Sequence, residues 1–293
     1  MLWPKNLKKK IRTKINLAQC TSFKIGGPAR FFFEPENIKS LQEVLVYVKK
    51  AKIKVFILGA GSNILVNDSG VKGIVIRLNS DSFRFVTYKE TCVTLGAGVR
   101  LNQLIWQTQA RGLSGLEFLI GIPGTLGGAL VGNAGAWGKE IKELVKEVSV
   151  LNYNGKLITL RGKKLKFAYR KSNLNKYIII SAKLKLEIAK KKKINFKIKE
   201  YLLKRKKIQD NRLPNAGCIF KNPFKNSAGF LIDSCGLKGR QKGRALISKT
   251  HANFILNSGR AKSSQVRALM NLMQKKVKEK FKVILKPEIK IWK

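Results

Sequence analysis

The stretch Gly115–Gly138, GLEFLIGIPGTLGGALVGNAGAWG, limits what this chain can fold into more than any other segment. From Phe118 to Trp137 it carries no charge, although 26% of the chain is charged. An uncharged run of that length could span a bilayer. Pro123 and the glycines at 121, 124, 127, 128, 132 and 135 make a membrane helix a poor reading, because they break it repeatedly. Glycine at this density frees the backbone for positive φ and lets its N–H groups approach a ligand. A run of exposed N–H groups favours anions, diphosphates above all. A buried glycine-rich turn is the plainer alternative.

A second glycine turn, Gly59-Ala60-Gly61-Ser62-Asn63, follows the apolar run VFIL. A glycine turn at the carboxyl end of a strand suits a phosphate or a cofactor edge. It lacks the G-x-G-x-x-G that opens a helix, so a Rossmann NAD site is disfavoured. Two glycine cradles in one chain fit a long diphosphate-bridged cofactor better than a mononucleotide.

A chain of 293 residues, 44% apolar, has the composition of a globular protein of two or three domains. The net charge of +45, from 61 Lys+Arg against 16 Asp+Glu, would ordinarily point to nucleic acid. The excess is mostly lysine, spread along the chain with abundant Ile and Asn, the pattern of A/T-rich codon drift. Aromatic residues do not track the lysines, so no nucleic-acid partner is expected, although a basic surface can steer an anionic substrate. Four cysteines without C-x-x-C spacing and one histidine make a metal site unexpected. Reduced thiols fit a cytoplasmic protein. The basic start, MLWPKNLKKKIRTK, has no apolar run behind it and reads as a solvated arm rather than a signal peptide.

Residues 29–76 read as strand, helix (Ile38–Lys52), buried strand and short strand, an α/β unit. Residues 83–188 carry the strands FRFVTY, CVTLGAG, VSVLNYNGKLITL and YIIISAKLKL, a helix near Leu101–Arg111, and a hairpin signal at Asn154-Gly155. Lys190–Lys207 reads as an exposed connector with helical spacing late on. Beyond it come a helix over Ser263–Phe281 and strands over Val283–Leu285 and Glu288–Trp292.

Eight blocks occur in order: TSFKIGGPAR (21–30), LGAGSNILV (58–66), GLSGLEFLIGIPGTLGGALVGNAGAWGKEI (112–141), AYRKSN (168–173), AGCIFKNP (216–223), AGFLIDSCGLKG (228–239), HANFILN (251–257) and KPEIKIW (286–292). In this register the chain resembles the UDP-N-acetylenolpyruvoylglucosamine reductases, in their compact subtype, from about residue 15 onward. The resemblance implies an α+β, FAD-binding fold of the vanillyl-alcohol-oxidase (PCMH) type. It implies two FAD-binding subdomains, 1–76 joined by a C-terminal strand at 287–293, and 77–190, with a substrate-binding α+β domain at 191–286. FAD is expected along Gly59, Ala60, Gly61, Ser62 and Asn63 and along Pro123, Gly124, Thr125, Gly127 and Gly128, with Asn133, Ala134 and Gly135 nearby. A cytoplasmic monomer without a membrane span is expected.

By the same resemblance, NADPH reduces the flavin, which then passes hydride to the vinyl methylene of UDP-N-acetylglucosamine enolpyruvate. Arg170, Cys218 and Glu288 carry the reaction, and Tyr169 and Asn222 contact the substrate. Arg170 would stabilise the enolate-like charge on the carboxylate, which it can bind bidentately. Glu288 would donate to the enolate, if burial keeps it protonated, or orient Arg170. Cys218 would protonate the second carbon. The family commonly has serine there. A thiol is the stronger acid by several units, but a larger atom and a weaker donor, and it is open to oxidation. Taken singly, Arg170 is one basic residue among 61, Cys218 a buried cysteine and Glu288 a partner for neighbouring lysines; only the register gives them roles. His251 reads as a structural group of the HANF turn.

Overall fold

The computed structural model describes residues 3–210 and 212–293. They divide into two compact units, and the chain passes between them five times. The first takes residues up to Arg12, Phe31–Ala60 and Gly73–Arg205; the second takes Thr13–Arg30, Gly61–Lys72 and Lys206 onward.

In the first unit the strand Val55–Leu58 runs parallel to Val71–Arg77, with Val55 opposite Ile74. The helix Ile38–Lys50 begins at a reciprocal cap: Asn37 Oδ1 accepts from Ser40 N–H at 2.9 Å, and Ser40 Oγ accepts from Asn37 N–H at 3.2 Å. It buries Leu41, Val44, Leu45 and Val48, the residues its spacing selects. It stops short of Lys52, whose φ of 51° turns the chain left-handed.

A second, antiparallel sheet has the order Leu157–Arg161, Val145–Leu151, Ile178–Lys185, Cys92–Gly96, Val86–Lys89. The hairpin marked by Asn154-Gly155 is a five-residue loop in which Asn152 Oδ1 accepts from the N–H of both Asn154 and Lys156. Gln42 donates to Gly155 O and Lys49 to Asn154 Oδ1, each at 2.7 Å, which ties the Ile38–Lys50 helix to that loop. The strand expected from Phe83 starts only at Val86, because Asp81–Phe83 forms a tight turn that buries Phe83 completely. The expected connector is a continuous helix, Lys191–Ile208, seated by the buried Ile194, Ile198 and Arg205.

The second unit holds a sheet in the order Asn215–Cys218, Phe254–Asn257, Ala245–Ile247, Gln241–Lys242. Helix Ser263–Phe281 packs Val266, Leu269, Met270, Met273 and Val277 into that unit's core. The strand Lys290–Trp292 lies parallel to Ile64–Val66. The strand expected over Val283–Leu285 is absent. Lys282 ends the helix left-handed at φ 58°, and the side chain of Gln274 donates to Leu285 O at 2.8 Å, where a strand would need a backbone partner. Among the described residues no helix is long and apolar enough to cross a membrane. The uncharged run contains only a seven-residue helix, Leu126–Gly132.

Candidate active site

Within the first unit the start of one glycine segment, Gly59, meets the other at Thr125. A Cβ on Gly59, at the end of the Val55–Leu58 strand, would lie 2.7 Å from Thr125 Oγ1. Only glycine permits that approach. Thr125 caps Leu126–Gly132, its Oγ1 accepting from Gly128 N–H at 3.4 Å. Gly127 N–H donates to Ala97 O and Leu126 N–H to Val99 O, each at 2.9 Å. These amides hold the segment against residues 97–99. Pro123 is exposed and Gly124 half-buried, with its carbonyl accepting from Leu101 N–H at 3.0 Å.

The helix ends at Asn133, which is fully buried and left-handed at φ 45°. Its Nδ2 donates to Ala168 O at 3.1 Å, and its Oδ1 accepts from Lys142 N–H at 3.3 Å. Ala134 N–H returns to Ala129 O at 2.8 Å, and Gly135 pairs with Glu140 in a two-residue ladder. Ala168 ends one arm of a small hairpin, Phe167–Ala168 against Lys171–Ser172, with Tyr169 and Arg170 at its tip. Ser172 Oγ ties the other arm to Leu130 O at 2.8 Å and Val131 O at 3.1 Å. Arg170 is half-buried at φ 54°, its guanidinium 5.0 Å from the ring centroid of the exposed Tyr169. Glu140 is a neighbour that motif reading missed. Burial pushes its carboxyl up, but hydrogen bonds from Lys142 and Asn133, with the charges of Lys142 and Arg170, bring it below its ordinary value.

In the second unit Gly61 is left-handed at φ 68°, and a side chain there would collide with Cys20 O. Gly61 O accepts from Ser22 N–H at 3.1 Å and Asn63 O from Lys290 N–H at 3.0 Å, so the loop is anchored by its carbonyls. Ala60 and Ser62 are half-buried. Asn63 Nδ2 donates to Glu288 O at 3.2 Å, and Glu288 N–H donates to Ile219 O at 2.8 Å. Glu288 therefore lies on the segment beside Cys218, both half-buried. Cys218 sits opposite Phe254 after a bulge in which Gly217 has φ 72°.

Asn253, 1% exposed, holds the chain just past Cys218: its Oδ1 accepts from Phe220 N–H at 2.9 Å, and its Nδ2 donates to Phe220 O at 2.8 Å. His251 Nδ1 accepts from Asn253 N–H at 3.2 Å, and burial lowers the imidazole below its ordinary value. Its place is structural. Asn222 is exposed, its Oδ1 accepting from Ala228 N–H at 3.0 Å. Thus Asn63, Cys218, Asn222 and Glu288 share one unit, while Gly59, Thr125, Asn133, Tyr169 and Arg170 share the other. Among the described residues no cluster of three or more His, Cys, Asp or Glu could hold a metal.

A family model described as an FAD binding domain matches residues 29–161. Another, described as the C-terminal domain of UDP-N-acetylenolpyruvoylglucosamine reductase, matches residues 207–292. The reductase of that name from Caldanaerobacter subterraneus subsp. tengcongensis is 42% identical over 273 residues, 92% of this chain and 90% of that one. Its counterpart from Acaryochloris marina is 38% identical over 289 residues, 96% of this chain and 92% of that one. The crystal structure of UDP-N-acetylenolpyruvylglucosamine reductase from Thermus caldophilus superposes with a TM-score of 0.84 at 35% identity, covering 97% of this chain and 100% of that chain.

Proposed function

The chain belongs to the UDP-N-acetylenolpyruvoylglucosamine reductase family, and on that premise we propose how its residues divide the reaction. Membership makes it an FAD-dependent oxidoreductase of the PCMH-type fold that draws on NADPH and serves peptidoglycan precursor synthesis. The chemistry FAD supplies when bound is two-electron transfer from NADPH to the vinyl methylene of UDP-N-acetylglucosamine enolpyruvate.

The observation that carries the binding proposal is the approach of Gly59 to Thr125, too close to admit a Cβ, which brings the two glycine segments together. Amides from Gly59, Ala60, Gly61, Ser62 and Asn63, with Gly124 and Thr125 after Pro123, hold the diphosphate. Gly127 and Gly128, whose N–H groups go to Ala97 O and Thr125 Oγ1, contribute close packing rather than donors. Asn133, Ala134 and Gly135 position the hairpin below. Arg170, presented at that hairpin's tip beside Tyr169, neutralises the substrate carboxylate as charge builds on it. Cys218 gives the thiol proton to the second carbon. Glu288, on the segment beside Cys218, donates to the enolate, and Asn222 contacts the nucleotide sugar.

The three-part division, with residues 1–76 and 287–293, 77–190, and 191–286, is supported by the separate sheets of the first unit and by the C-terminal match over 207–292. We also assign a cytoplasmic monomer without a nucleic-acid partner, on the diffuse distribution of the lysines.

Anaerobic stopped-flow of the two half-reactions tests the scheme. With Cys218→Ala, NADPH should still bleach the flavin, while reoxidation by the enolpyruvyl nucleotide is lost. Equal loss of both half-reactions overturns the role of Cys218, and purified protein that is colourless and takes up no FAD overturns the binding proposal.

A further inference from the structure

Helix Lys191–Ile208 carries a face that the reaction does not use. Ile194, Ile198 and Arg205 are buried on one side, and Arg205 donates to Phe118 O at 3.3 Å, so this side seats the helix on the first unit. At 3.6 residues per turn, Phe196 and Leu203 lie seven apart and half a turn away from that side. They are 69% and 60% exposed. Single exposed apolar residues are ordinary. Here the two form one stripe, and Lys192, Lys193, Lys199 and Lys204 flank it on both sides. The helix has eight lysines and a single acid, Glu200, which is paired with Lys204 at 2.6 Å.

We infer that this face docks on an anionic lipid surface, with Phe196 and Leu203 inserted among the acyl chains and the flanking ammonium groups at the level of the lipid phosphates. Charge complementarity selects this partner. Lysine stems can lie along an apolar surface while their heads remain in the polar layer, and juxtaposed basic and apolar side chains read as a membrane-surface element. A single-stranded nucleic acid would call for successive aromatic platforms, and this stripe has one aromatic ring and one aliphatic chain. A second copy of the same face would bring like charges together.

The test uses the full-length, FAD-loaded protein and sedimentation with vesicles at physiological salt. The protein should pellet with phosphatidylglycerol–phosphatidylcholine vesicles and stay in solution with phosphatidylcholine alone. Phe196→Ser/Leu203→Ser should weaken partitioning by tenfold or more, roughly the loss expected for two inserted apolar groups, and leave NADPH oxidation with the enolpyruvyl nucleotide unchanged. Lys192→Gln/Lys199→Gln should weaken binding and flatten its salt dependence. Phe196→Trp should add a blue-shifted emission component only with anionic vesicles.

Failure of the wild type to pellet overturns the inference. So does equal binding by the double serine variant, which would leave the bulk charge of +45 as the cause. The absence of any blue-shifted component from the Phe196→Trp variant, or Phe196-dependent binding to a single-stranded RNA oligonucleotide without vesicle binding, overturns it as well.

Discussion

Arg170 occupies the second position of a two-residue turn at φ 54°, a conformation that glycine adopts freely and arginine adopts at a cost. Asn133 and Ser172 hold the turn from outside, so the strain persists because the surrounding bonds outweigh it. Arg170→Gly should therefore melt no lower than the wild type, with relief of up to about 1 kcal/mol. It should cut transfer to the enolpyruvyl substrate by about a hundredfold or more. Calorimetry beside single-turnover kinetics checks both, and a melting point several degrees lower would contradict the strain reading. Asn253→Ala leaves the buried N–H and C=O of Phe220 without their partners and should cost about 2–4 kcal/mol. A denaturant titration that finds less than about 1 kcal/mol would remove Asn253 as the clamp of the Cys218 segment. Register with a family singles out Arg170, Cys218 and Asn133, but no local signal marks the contacts that Asn253 and Asn133 make. Their partners lie 33 residues away for Asn253 and 35 for Asn133, and a hydrogen bond across such a separation leaves no period or spacing in the chain.

Helix Ser263–Phe281 is capped from a remote part of the chain. Asp68 Oδ1 accepts from Ser263 N–H at 2.6 Å and Oδ2 from Ser264 N–H at 3.1 Å. Burial pushes the Asp68 carboxyl up, but the bonds from Ser263 and Ser264 outweigh it, and the net shift is downward. A carboxylate with a lowered folded value stabilises the fold above its ordinary range, and that contribution is lost as pH falls through the lowered value. Asp68→Asn should cost about 1 kcal/mol at neutral pH. The gap to the wild type should close in acid, as thermal melts across pH would show; a gap that persists below the carboxylate range would show packing, not charge, at work. The helix itself is readable to the residue, because Val266, Met270, Met273 and Val277 recur at its period. Its cap is not, since Asp68 stands 195 residues before Ser263. The Lys191–Ile208 helix is only half legible for a different reason: its lysines dilute an apolar face of only two aliphatic residues and one buried arginine.

Over the whole molecule, a net charge of +45 means self-repulsion that folding concentrates. Salt shortens the Debye length from about 30 Å at 0.01 M to about 8 Å at 0.15 M, so the melting temperature should rise over that interval. A flat or falling trend in calorimetry would mean that the lysines are already spaced beyond mutual reach. Acid works in the opposite direction. Asp210, held by Arg212 and Ser248, is lowered to about 2 from an ordinary 3.8, so its stabilisation is complete above that range and disappears as pH falls through about 2.

Amphipathic period, turn residues and the order of eight motifs are properties of neighbours along the chain, and from them the helices Ile38–Lys50, Leu101–Ala110 and Ser263–Phe281, the two glycine segments and the family could be read. The five passages between units, the meeting of Gly59 with Thr125, the clamp on Phe220 and the carboxylate under Ser263 join residues far apart in sequence. Those contacts came into being only when two cores excluded water and brought buried polar groups together, where each had to find a partner or cost stability.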